Sequence, residues 1–182
     1  KLNHKSLYLL DMVEEVFELS KASSGHLPMK RETIDIGRLL EQTLGEMDED
    51  LCASGFQLKK DYPLTGMLVL CDGLHMHRVF QNLFDNALKY ACPQTRIFIH
   101  ASQSNDQFCE IRIRNTSRVP LDFDPEEITK RFVRGEKART GEGSGLGLAI
   151  AKTYTESCGG QFHIVIEDDC FIAVVCLPSI TS

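Results

Sequence analysis

With 182 residues, 42% of them hydrophobic and 25% charged, the chain is long enough for one domain plus a small appendage and too apolar to stay disordered. A net charge of −6 excludes the global basic field that nucleic acid or an anionic lipid surface attracts. No stretch approaches the roughly 20 apolar residues of a membrane span, and no signal peptide is legible.

The chain opens on Lys1 and not on Met, so it reads as a piece of a longer protein, with any membrane segment lying upstream. Seven cysteines stand at 52, 71, 92, 109, 158, 170 and 176 with no CxxC pair. Their scattered spacing and apolar neighbours point to reduced, buried thiols of a cytosolic protein, not a disulfide frame or zinc site. His75 and His77 are a poor metal pair, because i, i+2 spacing sends two imidazoles to different sides of a helix.

Residues 1 to about 22 carry Leu2, Leu9, Met12, Val16 and Leu19 at 3–4 spacing, broken only by Lys5. This heptad-like stripe predicts a helix that packs against other helices in a bundle, the alternative being a helix folded onto its own domain. Ser23 to Pro28 ends it. Asp35 then caps a predicted helix over 36–53, with Ile36, Leu39, Leu40, Leu44, Met47 and Leu51 on one face. Extended pieces follow near 56–62 and 67–71, separated by a Pro63 to Gly66 turn.

Asp72 opens a predicted helix over 73–91 whose apolar face is Met76, Val79, Phe80, Leu83, Phe84, Ala87, Leu88 and Ala91. A second ridge of that helix carries Asn82 and Asn86 one turn apart, then Lys89 and Tyr90. Exposed helix faces are polar by default. The set also suits a metal–triphosphate and a base: amide oxygens to Mg2+, ammonium to phosphate, ring against the purine. Strands over 96–102 and 108–115 form a hairpin around Ser104-Asn105-Asp106.

Between Asn115 and Gly143 only a short helix near Pro125 to Phe132 is patterned. Lys130, Arg131, Arg134, Lys137 and Arg139 place five cations within ten residues of an acidic chain, which is either a solvated run or a seat for an anion.

Gly141, Gly143, Gly145 and Gly147 then stand at alternate positions, which neither helix nor strand tolerates without cost, about 0.5–1 kcal/mol each. Leu146, Ala149, Ile150 and Thr153 at once begin a helix that runs to Ser157. A glycine loop feeding a helix start offers backbone N–H groups and a positive dipole end, which together suit a polyphosphate, though a flexible turn before an ordinary helix has the same look. Gly159-Gly160 stops the helix, and strands over 161–167 and 170–177 close the chain around Asp168-Asp169.

His77 to Tyr90 resembles the N box of the sensor histidine kinases, Ile128 to Gly135 their F box, and Gly141 to Leu148 their second glycine box. The order and spacing match over essentially the whole chain, and the nearest flavour is the group that includes the vancomycin-resistance sensors. The resemblance implies an α/β fold: a two-layer α/β sandwich of the Bergerat type, a mixed and largely antiparallel sheet under three helices. Residues 1–24 would be the second helix of the dimerisation and phosphotransfer hairpin, and 30–182 the catalytic ATP-binding domain.

Carried over by position, the resemblance places Asn82 and Asn86 at Mg2+-bound phosphates, with Asn86 the preferred direct ligand. Lys89 would meet a phosphate and Tyr90 the adenine side. Gly143, Gly145 and Gly147, with Leu146 among them, would form the phosphate-facing turn. Arg139 would reach the γ-phosphate from a lid over 128–142. The implied cofactors are ATP and Mg2+. The implied partners are the chain's own hairpin, a homodimer partner and a response regulator, in the cytoplasmic portion of a bacterial inner-membrane sensor.

The sequence departs from the family at the first glycine box. Where Asp-x-Gly-x-Gly is expected it reads Asn115-Thr116-Ser117-Arg118-Val119. Asn115 keeps a carbonyl acceptor for the adenine amino group but no charge, and charge-assisted hydrogen bonds are roughly twice as strong as neutral ones. Weaker adenine discrimination and a differently shaped lid hinge are expected. The vancomycin-resistance group tolerates a similar Asn-Thr-Ser run. The phosphoacceptor histidine would precede residue 1, since His4 lacks its sequence context, so the piece is expected to bind nucleotide without phosphorylating itself. A nucleotide-sensing or protein-interaction module on the same fold, without kinase activity, stays open, and so does a gyrase-like or chaperone-like ATPase.

Overall fold

The computed structural model describes Val13, Val16, Phe17 and residues 19–21, 28–104, 107–130 and 145–180. Arg139, Gly143, the cationic run from Arg131, most of the lid and most of the first helix lie outside these residues.

Among the described residues, three helices of 11 to 18 residues and one short one carry the apolar faces read above. Helix α1 is Ile36–Glu46, α2 Asp48–Ser54, α3 Gly73–Tyr90 and α4 Gly147–Ser157. Asp35 caps α1 by accepting from the Gly37 N–H at 3.1 Å, and its other oxygen accepts from Gly66 at 2.7 Å. Asp72 caps α3 through the N–H groups of Leu74 and His75, both at 3.1 Å. The expected single helix over 36–53 is two. Met47, at φ −101° and ψ 10°, ends one and starts the next. Asp48, Glu49 and Asp50 fill the first turn of α2, where the positive end of a new helix dipole favours them.

The main sheet has the order β2-β4-β5-β7-β6, with β2 Gln57–Asp61, β4 Arg96–Ser104, β5 Phe108–Thr116, β6 Gln161–Glu167 and β7 Cys170–Pro178. Only β2 with β4 is parallel within it; the other three pairings are antiparallel. The turn between β6 and β7 has Asp168 at φ 51°, a left-handed conformation that Asp tolerates better than most residues. A second sheet of two strands pairs β1 (Glu32–Asp35) with β3 (Leu68–Cys71). Strand β1 is an element the sequence pattern does not announce: four residues, two of them acidic, find their partners 33 to 39 positions downstream, Thr33 opposite Leu70 and Ile34 opposite Val69.

Alternation in the strands sends Ile97, Ile99, Ile111, Ile113, Phe162, Ile164, Ala173 and Val175 to one face, where they meet Leu40, Met76, Phe80, Leu83, Phe84, Ile150 and Tyr154. Each Ile, Leu, Val, Phe or Met among them, fully buried, contributes about 1.5–3 kcal/mol. The result is the two-layer α/β sandwich expected, with its mixed, largely antiparallel sheet under the helices. The short helix near Pro125 narrows to a 3-10 turn at Glu127–Thr129. Of the first helix's stripe, Leu19 is 1% exposed and belongs to the domain core, while Val16 is 38% exposed; Val13 and Phe17, off the stripe, are 64% and 60% exposed.

Candidate functional site

The polar ridge of α3 lies against the start of α4. Asn82 is half-buried, and its Nδ2 donates to the Arg78 carbonyl at 2.9 Å. Its Oδ1 faces Gly147 so closely that a Cβ on Gly147 would sit 3.0 Å from it. Gly147 therefore has a reason to be glycine that a flexible turn does not supply. Gly145 has φ 75°, the left-handed region that favours glycine.

The three longer helices differ at their beginnings. Asp35 and Asp72 cap α1 and α3, whereas α4 starts at Leu146 with no side-chain cap. The first-turn N–H groups of a helix lack intrahelical acceptors. At α4 they stand beside the Asn82 carboxamide, a positive dipole end next to a group able to ligate a cation or donate to an anion. Leu146 itself is 0% exposed, and its carbonyl accepts from Ile150 at 2.8 Å.

Asn86 is half-buried one turn further along α3, and Lys89 Nζ lies 5.4 Å from the centre of the Tyr90 ring. The end of α3 is stitched to the end of β5. Arg118 N donates to the Tyr90 carbonyl at 2.9 Å, Cys92 N donates to the Thr116 carbonyl at 2.8 Å, and Ala91 bridges to Ser117. Asn115, the residue before Thr116 on β5, faces inward, 2% exposed, with Nδ2 donating to the Thr116 carbonyl at 3.4 Å. So Asn82 and Gly147 meet midway along α3, and the end of α3 at Tyr90 is tied through Arg118 to the chain just past β5. Arg139 and Gly143 lie outside the described residues, as does most of the F box.

The two imidazoles diverge. The His75 ring is 4.6 Å from that of Tyr154 on α4. His77 lies between Thr43 Oγ1, 3.0 Å from Nδ1, and Glu46 Oε2, 3.1 Å from Nε2, which ties α1 to α3. Among the described residues, no group of three or more His, Cys, Asp or Glu side chains is placed to hold a metal; a cation here would rely on amide oxygens. Asp72 has a further partner that its capping role does not foretell, the Lys30 N–H at 2.8 Å. Burial pushes the Asp72 carboxyl up, but the N–H groups of His75, Lys30 and Leu74 outweigh it and hold the carboxyl below its usual value.

Residues 71–179 match the family described as histidine kinase-, DNA gyrase B-, and HSP90-like ATPase. The sensor protein VanS of Enterococcus faecium is 31% identical over 177 residues, covering 96% of this chain and 45% of VanS. The sensor protein kinase WalK of Staphylococcus aureus is 28% identical over 158 residues, covering 84% of this chain and 37% of WalK. The chain thus spans less than half the length of these curated relatives. Full-length ShkA in complex with AMPPNP shares the fold at a TM-score of 0.83 and 21% identity, covering 100% of this chain and 38% of that one. The histidine kinase AdeS of Acinetobacter baumannii does so at 0.74 and 18%, covering 97% of this chain and 82% of its own.

Proposed function

We propose, from the premise that the chain belongs to the histidine kinase-, DNA gyrase B-, and HSP90-like ATPase family and carries a catalytic domain of the sensor histidine kinase kind, that it binds ATP with Mg2+ between α3 and the start of α4. The γ-phosphoryl group would pass to a histidine on the phosphotransfer hairpin of its own dimer, for relay to a response regulator. The observation that carries this reading is the Asn82 carboxamide held against Gly147 at a helix start without a side-chain cap. An amide oxygen, a dipole end and a missing Cβ together suit a metal-bound polyphosphate.

In this reading Asn82 and Asn86 hold Mg2+ and orient the phosphates, and Lys89 neutralises phosphate charge. Backbone at Gly143, Gly145, Leu146 and Gly147 lines the phosphate turn, and Arg139 approaches the γ-phosphate. Tyr90 and Asn115 take the adenine side, Asn115 through Oδ1 as acceptor. Mg2+ supplies charge neutralisation across the phosphates. The protein's part is positioning and preorganised charge, which is what phosphoryl transfer asks of it. Residues 1–24 would belong to the hairpin and 30–182 to the catalytic domain, on the cytoplasmic side of a bacterial membrane sensor. Among the described residues no helix is long and apolar enough to cross a membrane.

Mixing the chain with a separately made hairpin and ATP with Mg2+ should give acid-labile phosphate on histidine. Nucleotide binding without any transfer would overturn the kinase reading in favour of a nucleotide-sensing module. The neutral Asn115, at the position where the family carries a charged Asp, is the observation that favours that second reading.

A further inference from the structure

The residues that stand where the first glycine box is expected are held at successive positions. Asn115 and Thr116 end β5 opposite Phe171 and Cys170 of β7. The Thr116 carbonyl accepts from the Cys92 N–H at 2.8 Å, the Ser117 N–H donates to the Asp169 carbonyl at 2.7 Å, and the Arg118 N–H donates to the Tyr90 carbonyl at 2.9 Å. Val119 is held differently. Its N–H donates to Ser117 Oγ at 3.2 Å, and the same hydroxyl donates to the Val119 carbonyl at 2.7 Å. None of the residues from Asn115 to Val119 has a positive φ, so this backbone does not ask for the glycines expected at 117 and 119.

A serine hydroxyl can donate once and accept through its lone pairs, and here it does both toward the backbone of Val119. Side-chain bonds of this local kind select a turn from among the conformations open to a short segment. The residue bracketed by them is Arg118, whose N–H reaches the end of α3. The Tyr90 carbonyl lies in the last turn of that helix, where carbonyls lack an intrahelical donor. Its bond from Arg118 therefore fastens the helix end to the chain leaving β5. A line of contacts runs from the half-buried Ser117 through Arg118 to Tyr90, with Asn115 just upstream on β5.

We propose that Ser117 is a positioning residue for the base-binding end of the nucleotide site, holding Tyr90 on α3 and Asn115 on β5 at a fixed spacing before nucleotide arrives. The proposal rests on the nucleotide reading of the site given above, and it adds a residue that acts through Arg118 and Tyr90. With the hydroxyl in place the turn is ordered in the free chain, so binding does not bear the cost of ordering it. Without it the segment samples open turns. Only the fraction with Tyr90 and Asn115 correctly spaced then takes up nucleotide, and the apparent affinity falls by that fraction. The phosphate end, at Asn82 and Gly147, is built from other contacts.

The test is calorimetric titration of the unaltered chain, Ser117→Ala and Ser117→Thr with two probes, ATP with Mg2+ and inorganic tripolyphosphate with Mg2+. In Ser117→Ala the affinity for ATP should fall about 3- to 10-fold, the worth of a neutral hydrogen bond or two, while that for tripolyphosphate stays within twofold. Ser117→Thr, which keeps the hydroxyl, should restore ATP binding to within twofold of the parent. A hydroxyl that only stabilises the fold would shift the melting transition without separating the two probes. ATP affinity within twofold of the parent in Ser117→Ala, an equal loss for both probes, or no rescue by threonine would overturn the proposal and leave the nucleotide reading standing. A parent chain that binds no ATP would overturn both. Should Ser117→Ala not fold, Ser117→Cys keeps the size with a weak donor and acceptor, and the same separation of probes decides the matter there.

Discussion

Gly147→Ala separates a nucleotide site from a packing contact. The new methyl would lie 3.0 Å from Asn82 Oδ1 and 3.6 Å from its Cγ, so the carboxamide must give by a few tenths of an ångström, straining the bond it makes to the Arg78 carbonyl at 2.9 Å. Weakening that neutral hydrogen bond costs up to about 1 kcal/mol. Replacing glycine by alanine in a helix returns up to about 1 kcal/mol. The two nearly cancel, so the thermal midpoint should move by no more than about 2–4 °C. Nucleotide binding has no such compensation. A hydrogen bond or ligand contact to a charged group is worth about 1.5–3 kcal/mol, so affinity for ATP with Mg2+ should fall roughly 10- to 150-fold. Calorimetric titration with and without Mg2+ reads this directly, and Asn82→Ala in the same background should add little, because the two changes remove one interaction. Affinity within twofold of the parent chain would refute the assignment of Asn82 and Gly147 to the phosphate end.

Asn86→Ala should abolish the Mg2+-dependent part of nucleotide affinity while leaving the melting transition in place; unchanged affinity in the titration would remove Asn86 from the metal site. Asn115→Asp should raise the preference for ATP over GTP in a competition assay, at the expense of about 1–3 kcal/mol of apo stability, since the position is 2% exposed. Asp72→Asn should cost about 1–2 kcal/mol at neutral pH through the weakened cap. The folded Asp72 carboxyl titrates below its unfolded value, so its contribution is complete above about pH 3.9 and is lost as pH falls through the lower folded value. The gap between variant and parent in urea titrations should therefore shrink in that acid window and not near neutrality. Gly37→Ala would place a methyl 2.3 Å from the Pro63 carbonyl oxygen and 2.5 Å from that of Leu64, and should lower stability by about 1–3 kcal/mol.

Local chemistry was legible in the sequence wherever the partner was close along the chain. Asp35 and Asp72 announce helix starts because a cap bonds two or three residues away. The β4–β5 and β6–β7 hairpins follow from alternation and short turns. Strand β1 was not legible, since Glu32 to Asp35 becomes a strand only through pairing with Leu68 to Cys71. The break at Met47 hid inside a continuous apolar face, as Met47 and Leu51 stay buried at 5% and 8% on both sides of it. The Asn ridge and glycine run marked the candidate site; what spacing could not give was that Asn82 and Gly147, 65 positions apart, would touch.

Strand β7, which follows the other four strands of its sheet in chain order, is an interior strand, bonded to β5 on one side and β6 on the other. Until Cys170 to Pro178 has emerged from the ribosome, β5 has only one neighbour and β6 has none in its sheet. The nascent chain therefore waits with unpaired edges on β5 and β6, each able to recruit a strand from another molecule. Closing the sheet also fixes contacts distant in sequence, Thr116 opposite Cys170 and Phe108 opposite Pro178, a topology that favours late and cooperative folding over stepwise growth. Closure of this sheet thus waits on the nine residues Cys170–Pro178, and chain breakage before that point yields a sticky intermediate instead of a smaller working domain.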